Sequence, residues 1–176
     1  MRVAGEAYRS IWLDPDGWSV RIIDQTQLPH EFRIVQLTSL GEAAHAIRAM
    51  LVRGAPLIGA TAAYGLCLAL RANASDEALD SASAELLATR PTAINLRWAI
   101  DDMRSHLLPL PPERRLVVAY RRAAEICDED VAVNRAIGEN GLALFREAAA
   151  RAAGRPLNIL THCNAGWLAT VDWGTA

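Results

Sequence analysis

"VRGAPLIGATAAYGLCLAL", Val52 to Leu70, decides how the rest of the chain is read. From Pro56 to Leu70 the run is apolar nearly all round, with Gly59 and Gly65 set among small residues. A helix without a polar face has to be enclosed by other elements, and small residues let those neighbours come close. The pattern therefore predicts a buried, closely packed helix over 56–70. Gly54 ahead of it allows close backbone approach, and Pro56 suits a first helical turn, where its missing N–H is no loss.

Upstream of this helix the pattern is β. Tyr8–Leu13 and Trp18–Ile23 alternate in the manner of strands, and Asp14-Pro15-Asp16-Gly17 between them is hairpin turn chemistry. A third run over Phe32–Leu37 completes a small antiparallel three-stranded sheet. At Ser39 the period changes. Ser39 with Glu42 forms a capping box, and Ala43, Ala46, Ile47, Met50 and Leu51 share one apolar face. Downstream, Ser75-Asp76-Glu77 opens a helix to about Ala88, its acidic residues favourably placed against the helix dipole. Arg90-Pro91-Thr92 interrupts, with Thr92 available as N-cap to a helix over 93–108, and Pro109–Pro112 is a linker. A long helical pattern over 114–151, which Gly138 or Gly141 can break, closes before Gly154.

The final stretch reads differently again. Leu157–Leu160 has the look of a buried strand and Asn164–Ala176 of a following helix, together one α/β unit. A parallel-type strand finds its partners only after crossovers of a dozen or more residues. The expected fold class is thus α+β, with a sheet-plus-helices domain over 1–154 and the beginning of a second, truncated domain over 155–176. Leu157, Ile159, Trp167 and Trp173 are expected to be partly exposed.

A length of 176 residues and 52% hydrophobic content suffice for a core. The formal net charge of -2 gives no basic footprint for a nucleic-acid backbone. No apolar stretch is expected to reach the roughly 18 residues of a bilayer span, and residues 1–6 lack the apolar region of a signal peptide. The expectation is a cytoplasmic protein with no membrane partner. Cys67, Cys127 and Cys163 are an odd, widely spaced set, which fits neither a disulfide framework nor a zinc site. All 18 basic residues are arginine, so a phosphate would have to meet a guanidinium or backbone N–H groups.

Three stretches could carry chemistry. Arg53 beside Gly54 and Ala55 stands at a helix mouth, which suits an oxyanion or phosphate and equally suits a tight helix-to-helix turn with a solvated arginine. Arg90 stands at a second helix mouth and could complete a bidentate clamp, or be a surface arginine beside capping chemistry. Arg97 is expected outside that clamp. Cys163 lies after an apolar run and before a predicted helix, where α/β folds place ligands and where a helix mouth lowers a thiol's pKa; a buried inert cysteine is the alternative. His162 and Cys163 point to opposite faces of a regular strand, so their adjacency makes no dyad. His30, His45 and His106 are isolated, and no metal site is expected from them.

"DQTQLP" at 24–29, "VRGAPLIGATAAYG" at 52–65, "RPTAINLRWA" at 90–99 and "LTHCNAG" at 160–166 occur in an order that resembles the methylthioribose-1-phosphate isomerases of methionine salvage. The resemblance covers most of the chain. It implies an N-terminal domain of small sheet and helices followed by a Rossmann-like domain, of which 155–176 would be the start, usually in a homodimer. It implies that Arg53, Gly54, Ala55 and Arg90 bind a phosphorylated sugar and that Cys163 is the active-site cysteine. The implied reaction turns an aldose 1-phosphate into a ketose without metal or organic cofactor, with an aspartate beyond Ala176 as acid. Asp172, the one carboxylate in 157–176, is expected two helical turns from the cysteine. Ribose-1,5-bisphosphate isomerase resembles the same pattern, as do the regulatory subunits of the exchange factor for translation initiation, which are assembly modules. The arginine motifs together with Cys163 favour an enzyme. A short product kept as an interaction piece is a further alternative.

Overall fold

The computed structural model describes residues 1–176. Five short strands precede five helices: β1 Arg2–Val3, β2 Glu6–Ala7, β3 Ile11–Leu13, β4 Val20–Ile23, β5 Ile34–Leu37, α1 Leu40–Arg48, α2 Ala55–Ala72, α3 Asp76–Thr89, α4 Ile94–Leu107 and α5 Pro112–Ala152. A single 3₁₀ turn follows at Trp167–Ala169. Strands β3, β4 and β5 form the expected antiparallel sheet in that order, with Ile11 opposite Ile22 and Ile22 opposite Val35. The hairpin between β3 and β4 is held by Asp16, whose carboxylate accepts the amides of Trp18 and Ser19 at 2.8 Å each. The β1–β2 hairpin was not legible, being two residues a side.

Helix α2 is the centre, packed by α1, α3, α4 and α5. Its glycines set how near those neighbours come: a Cβ on Gly59 would lie 2.9 Å from the Asn95 carbonyl oxygen of α4, and one on Gly65 3.1 Å from Leu86 of α3. By length and composition α2 does pass for a membrane span, contrary to the expectation that no stretch would, because Arg71 is its one charge. Since 72% of its residues are buried, it is the core helix that the apolar run predicts.

Helix ends follow side-chain chemistry. Ser39 accepts the Glu42 amide and Ser75 the Ala78 amide. Glu42 reaches back to Thr38, and the Thr38 backbone N–H holds its carboxyl below the usual range. Met50 does not extend the apolar face of α1. The helix ends at Arg48, and Met50 sits in the left-handed region at φ 59 and is half exposed, because the chain reverses there to bury Val52. Thr92 does not cap α4 either, since Ala93 is the N-cap and no side chain serves it. Helix α5 runs unbroken through Gly138 and Gly141, with Ala153 in the left-handed conformation closing it.

The end of the chain departs from expectation. Residues 157–160 form no strand and are exposed, with Leu160 98% accessible. A strand's N–H and C=O groups need a neighbouring ladder, and none is within reach. Residues 164–176 form a closed loop and not a helix. Thr175 donates to the Ala165 carbonyl from its amide at 2.9 Å and its hydroxyl at 3.1 Å, folding the segment on itself. The loop docks on the body formed by the sheet and helices, with Ala169, Thr170 and Val171 buried. Trp167, Trp173, Leu157 and Ile159 are 39–65% exposed, in line with the reading of these positions.

Candidate functional site

The reversal at Met50 and the start of α2 place Arg53 at the rim of an open cleft of about 500 Å³. Gly54 is the N-cap of α2 at φ 107, and a Cβ there would lie 2.3 Å from the Cα of Ala169. Only glycine allows this backbone geometry together with the docking of the loop. Across the cleft, Arg90 ends α3 and Ala93, Ile94 and Asn95 open α4. Neither α2 nor α4 has a side-chain cap, whereas α1 and α3 do. The first-turn N–H groups of both helices therefore lack side-chain acceptors at the place where two arginines stand. That combination suits a multiply charged anion.

Cys163 and Asn164 form the third wall. Cys163 is exposed and left-handed at φ 64, and the side-chain amide of Asn164 donates to the Arg53 carbonyl at 3.2 Å. The expected helix mouth at Cys163 is absent, because the loop closes at Ala165–Thr175 before its three-residue turn begins at Trp167. Arg53, Gly54, Ala55, Arg90 and Cys163 thus line one cleft, and Arg97 does not line it. Asn95 and Asn164 line it too; the sequence gives them no signal beyond standing next to the motifs.

No carboxylate and no histidine lines this cleft, so apart from the two arginines the Cys163 thiol is its one ionisable side chain. Asp172 is not on a helix. Its carboxylate takes the ammonium of Met1 at 2.9 Å and the Trp173 amide at 2.9 Å. The other thiols differ in kind. Burial raises Cys67 well above its ordinary range and pushes Cys127 up to about 12. No group of three His, Cys, Asp or Glu side chains is gathered to hold a metal ion.

The loop that carries Cys163 is braced at several points outside the cleft. Ser10 donates its amide to Val171 at 2.9 Å, Gln25 its side-chain amide to the Leu168 carbonyl at 2.6 Å, and Asp130 accepts the Val171 amide at 2.7 Å. Burial raises the Asp130 pKa, and the bond from Val171 opposes that shift.

Comparison with known proteins bears on this arrangement. The chain is 65% identical to a methylthioribose-1-phosphate isomerase of Acidiphilium cryptum and 62% identical to one of Paramagnetospirillum magneticum. In both cases all of this chain is matched to 48% of the relative, so the chain spans about half their length. Among solved structures it is similar to 5-methylthioribose 1-phosphate isomerase from Pyrococcus horikoshii, at a TM-score of 0.78 and 37% identity over 96% of this chain and 47% of that one. The delta subunit of translation initiation factor eIF-2B from A. fulgidus matches with the same score and identity, over 96% and 48%. The pattern of the Initiation factor 2 subunit family covers residues 51–171, from the turn before Arg53 to the buried Val171 of the docked loop. On that coverage, more than half its length, this chain belongs to the Initiation factor 2 subunit family.

Proposed function

We propose that the cleft is half of the active site of an aldose–ketose isomerase acting on 5-methylthioribose 1-phosphate. The observation that supports it is the meeting of Arg53, Arg90, two uncapped helix mouths and Cys163 in one cleft. Arg53 and Arg90, with the backbone at Gly54 and Ala55, hold the phosphate, and Cys163 faces the sugar carbons. In the net reaction the ring C–O bond at C1 breaks and the hydrogen of C2 passes to C1. The C2 hydroxyl becomes the carbonyl as its proton leaves, and the former ring oxygen gains a proton. Reduction at C1 balances oxidation at C2, so no external electron acceptor is needed.

Moving these protons takes more than one acid–base group, and the cleft has only the thiol. In this reading the second group comes from a Rossmann-like domain that begins at about residue 155, as the double length of the relatives supports. The complete protein would be a cytoplasmic homodimer working without metal or organic cofactor. A non-catalytic assembly role is the second reading, favoured by the likeness to the eIF-2B subunit. Titration of ribose 1-phosphate into the chain separates them. The isomerase reading expects binding that weakens about tenfold or more in Arg53→Ala and in Arg90→Ala, as for loss of one charge-assisted phosphate contact. Binding unaffected by both substitutions, or no binding at millimolar sugar phosphate, would favour the assembly role.

A further inference from the structure

Two walls of the cleft belong to distant parts of the chain. Arg53 stands on the turn before α2, and Cys163 on the loop whose residues 169–171 dock on the body. Direct contact between the walls is slight. The Asn164 side-chain amide reaches the Arg53 carbonyl at 3.2 Å from an exposed position, and the Ala169 backbone lies against Gly54.

The segment Asp24-Gln25-Thr26 ties the same two walls together from outside the cleft, which Gln25 does not line. The Gln25 backbone N–H donates to the carbonyl of Leu51, just before Arg53, at 2.9 Å. Its side-chain amide donates to the carbonyl of Leu168, on the cysteine loop, at 2.6 Å. Asp24 fixes the turn: it is 5% exposed, and its carboxylate accepts the Thr26 amide at 2.9 Å and the Thr26 hydroxyl at 2.6 Å. A turn closed in this way by an aspartate holds the next residue in one backbone conformation. The Asp24 N–H donates to the Arg33 carbonyl at 2.9 Å, which anchors the turn to the segment leading into β5. The other braces differ. Ser10 ties the loop to the start of β3 and Asp130 ties it to α5, so neither reaches the Arg53 wall.

We propose that Gln25 is a positioning residue, which sets the spacing between the Cys163 thiol and the guanidinium groups of Arg53 and Arg90, so that an anion held by the arginines stands against the sulfur. The inference rests on the reading of the cleft as the phosphate site and the cysteine of one reaction. Gln25 itself touches no ligand. Its effect is large because reacting groups tolerate little error: a misplacement of about 1 Å, caused far from the chemistry, costs about 100-fold in rate.

The test is the rate at which Cys163 of the 176-residue chain is alkylated by iodoacetate and by iodoacetamide. Both react by the same step, in which the thiolate forms a bond to carbon and iodide leaves. One is an anion and the other neutral, so the ratio of their rates reads how near the thiol stands to the arginines, while thiol exposure and ionisation cancel. Relative to free cysteine, the unsubstituted chain should favour iodoacetate by about tenfold or more, as a cleft of one sign attracts the other. Inorganic phosphate should remove that preference. Gln25→Met keeps the side-chain length and loses the donor. It should lower the ratio about tenfold, to that of free cysteine, while phosphate still shifts the Arg53 and Arg90 side-chain signals in NMR and Cys67 and Cys127 stay unlabelled. Labelling of Cys67 and Cys127 would reveal a misfolded variant, and Gln25→Asn, whose amide is one methylene short, then takes its place with the same expectation. A ratio unchanged by loss of the donor would overturn the positioning role and leave the cleft reading standing. So would a Gln25 side-chain amide that exchanges with deuterium as fast as a free glutamine's, a measurement that needs no variant. No preference for iodoacetate in the unsubstituted chain, with phosphate bound at the arginines, would overturn the role as well. No response of Arg53 and Arg90 to phosphate would overturn the cleft reading and the inference with it.

Discussion

Two residues set the geometry of the cleft. Gly54 combines a positive φ with a backbone approach that no Cβ can share, so Gly54→Ala should cost about 2 kcal/mol or more and lift the loop. A lowered melting temperature with faster amide exchange confined to residues 166–171 is the expected signature; an unchanged loop would mean that Ala169 yields more easily than its position suggests. Cys163 is the other. It is exposed, while Cys67 and Cys127 are buried. Alkylation at pH 8 followed by peptide mapping should therefore label Cys163 first, the other two only at the rate at which the core opens. Preferential labelling of Cys127 would contradict the placement. Arg53 and Arg90 were legible because each stands beside a helix mouth. That both would meet at one site was expected as a clamp; which contact brings α2 and α4 together there was not, since it depends on Gly59 lying against the Asn95 carbonyl.

At the scale of elements, one arginine does structural work that its sequence context conceals. Arg115 of α5 is 3% exposed, and its guanidinium donates to the carbonyls of Leu107, Leu110 and Ala74 at 2.8–3.1 Å while pairing with Asp76 at 2.5 Å. It ties the ends of α2 and α4 to the start of α3. Arg115→Met should cost about 3 kcal/mol, because carbonyls buried beneath it lose their donor. Chemical denaturation would measure it, and a loss below about 1 kcal/mol, the range of a surface pair, would show that water replaces the guanidinium. Helices were the most legible elements, through Ser39, Ser75 and the apolar face of α2. Helix α5 outran its glycines because each costs only about 1 kcal/mol, while flanking bonds such as Arg135 to Glu139 at 2.7 Å support the same turns. The tail was misread for a different reason. Leu157–Leu160 has a strand's composition, but pairing is a property of two segments, and the second is not among these residues.

For the whole molecule, burial of ionisable groups fixes how stability depends on pH. Cys127 is held near 12 against an ordinary value of 9.0, and burial raises Cys67, Tyr64 and Tyr120 as well. These groups release their protons more readily unfolded than folded, so their contribution is complete below about pH 9 and is lost as pH rises from 9 toward 12. Melting temperature should fall steadily over that window, and a flat profile would contradict the burial. Association should also be concentration-dependent. Val133, Ile137, Leu144 and Phe145 of α5 are 45–69% exposed, as are Ile159 and Trp173, and sedimentation velocity would show it.

In the isomerase reading proposed above, these residues hold half of a site, with the phosphate-binding arginines and the cysteine on this side and a second acid–base group on the other. The direct measurement is conversion of 5-methylthioribose 1-phosphate, followed by NMR, with the 176-residue chain alone and then mixed with the unmatched half of the Acidiphilium cryptum relative. The expected result is no turnover alone and turnover in the mixture, abolished by Cys163→Ala. Turnover by the chain alone at the rate of the mixture, or a stable complex of the two halves without any turnover, would contradict it.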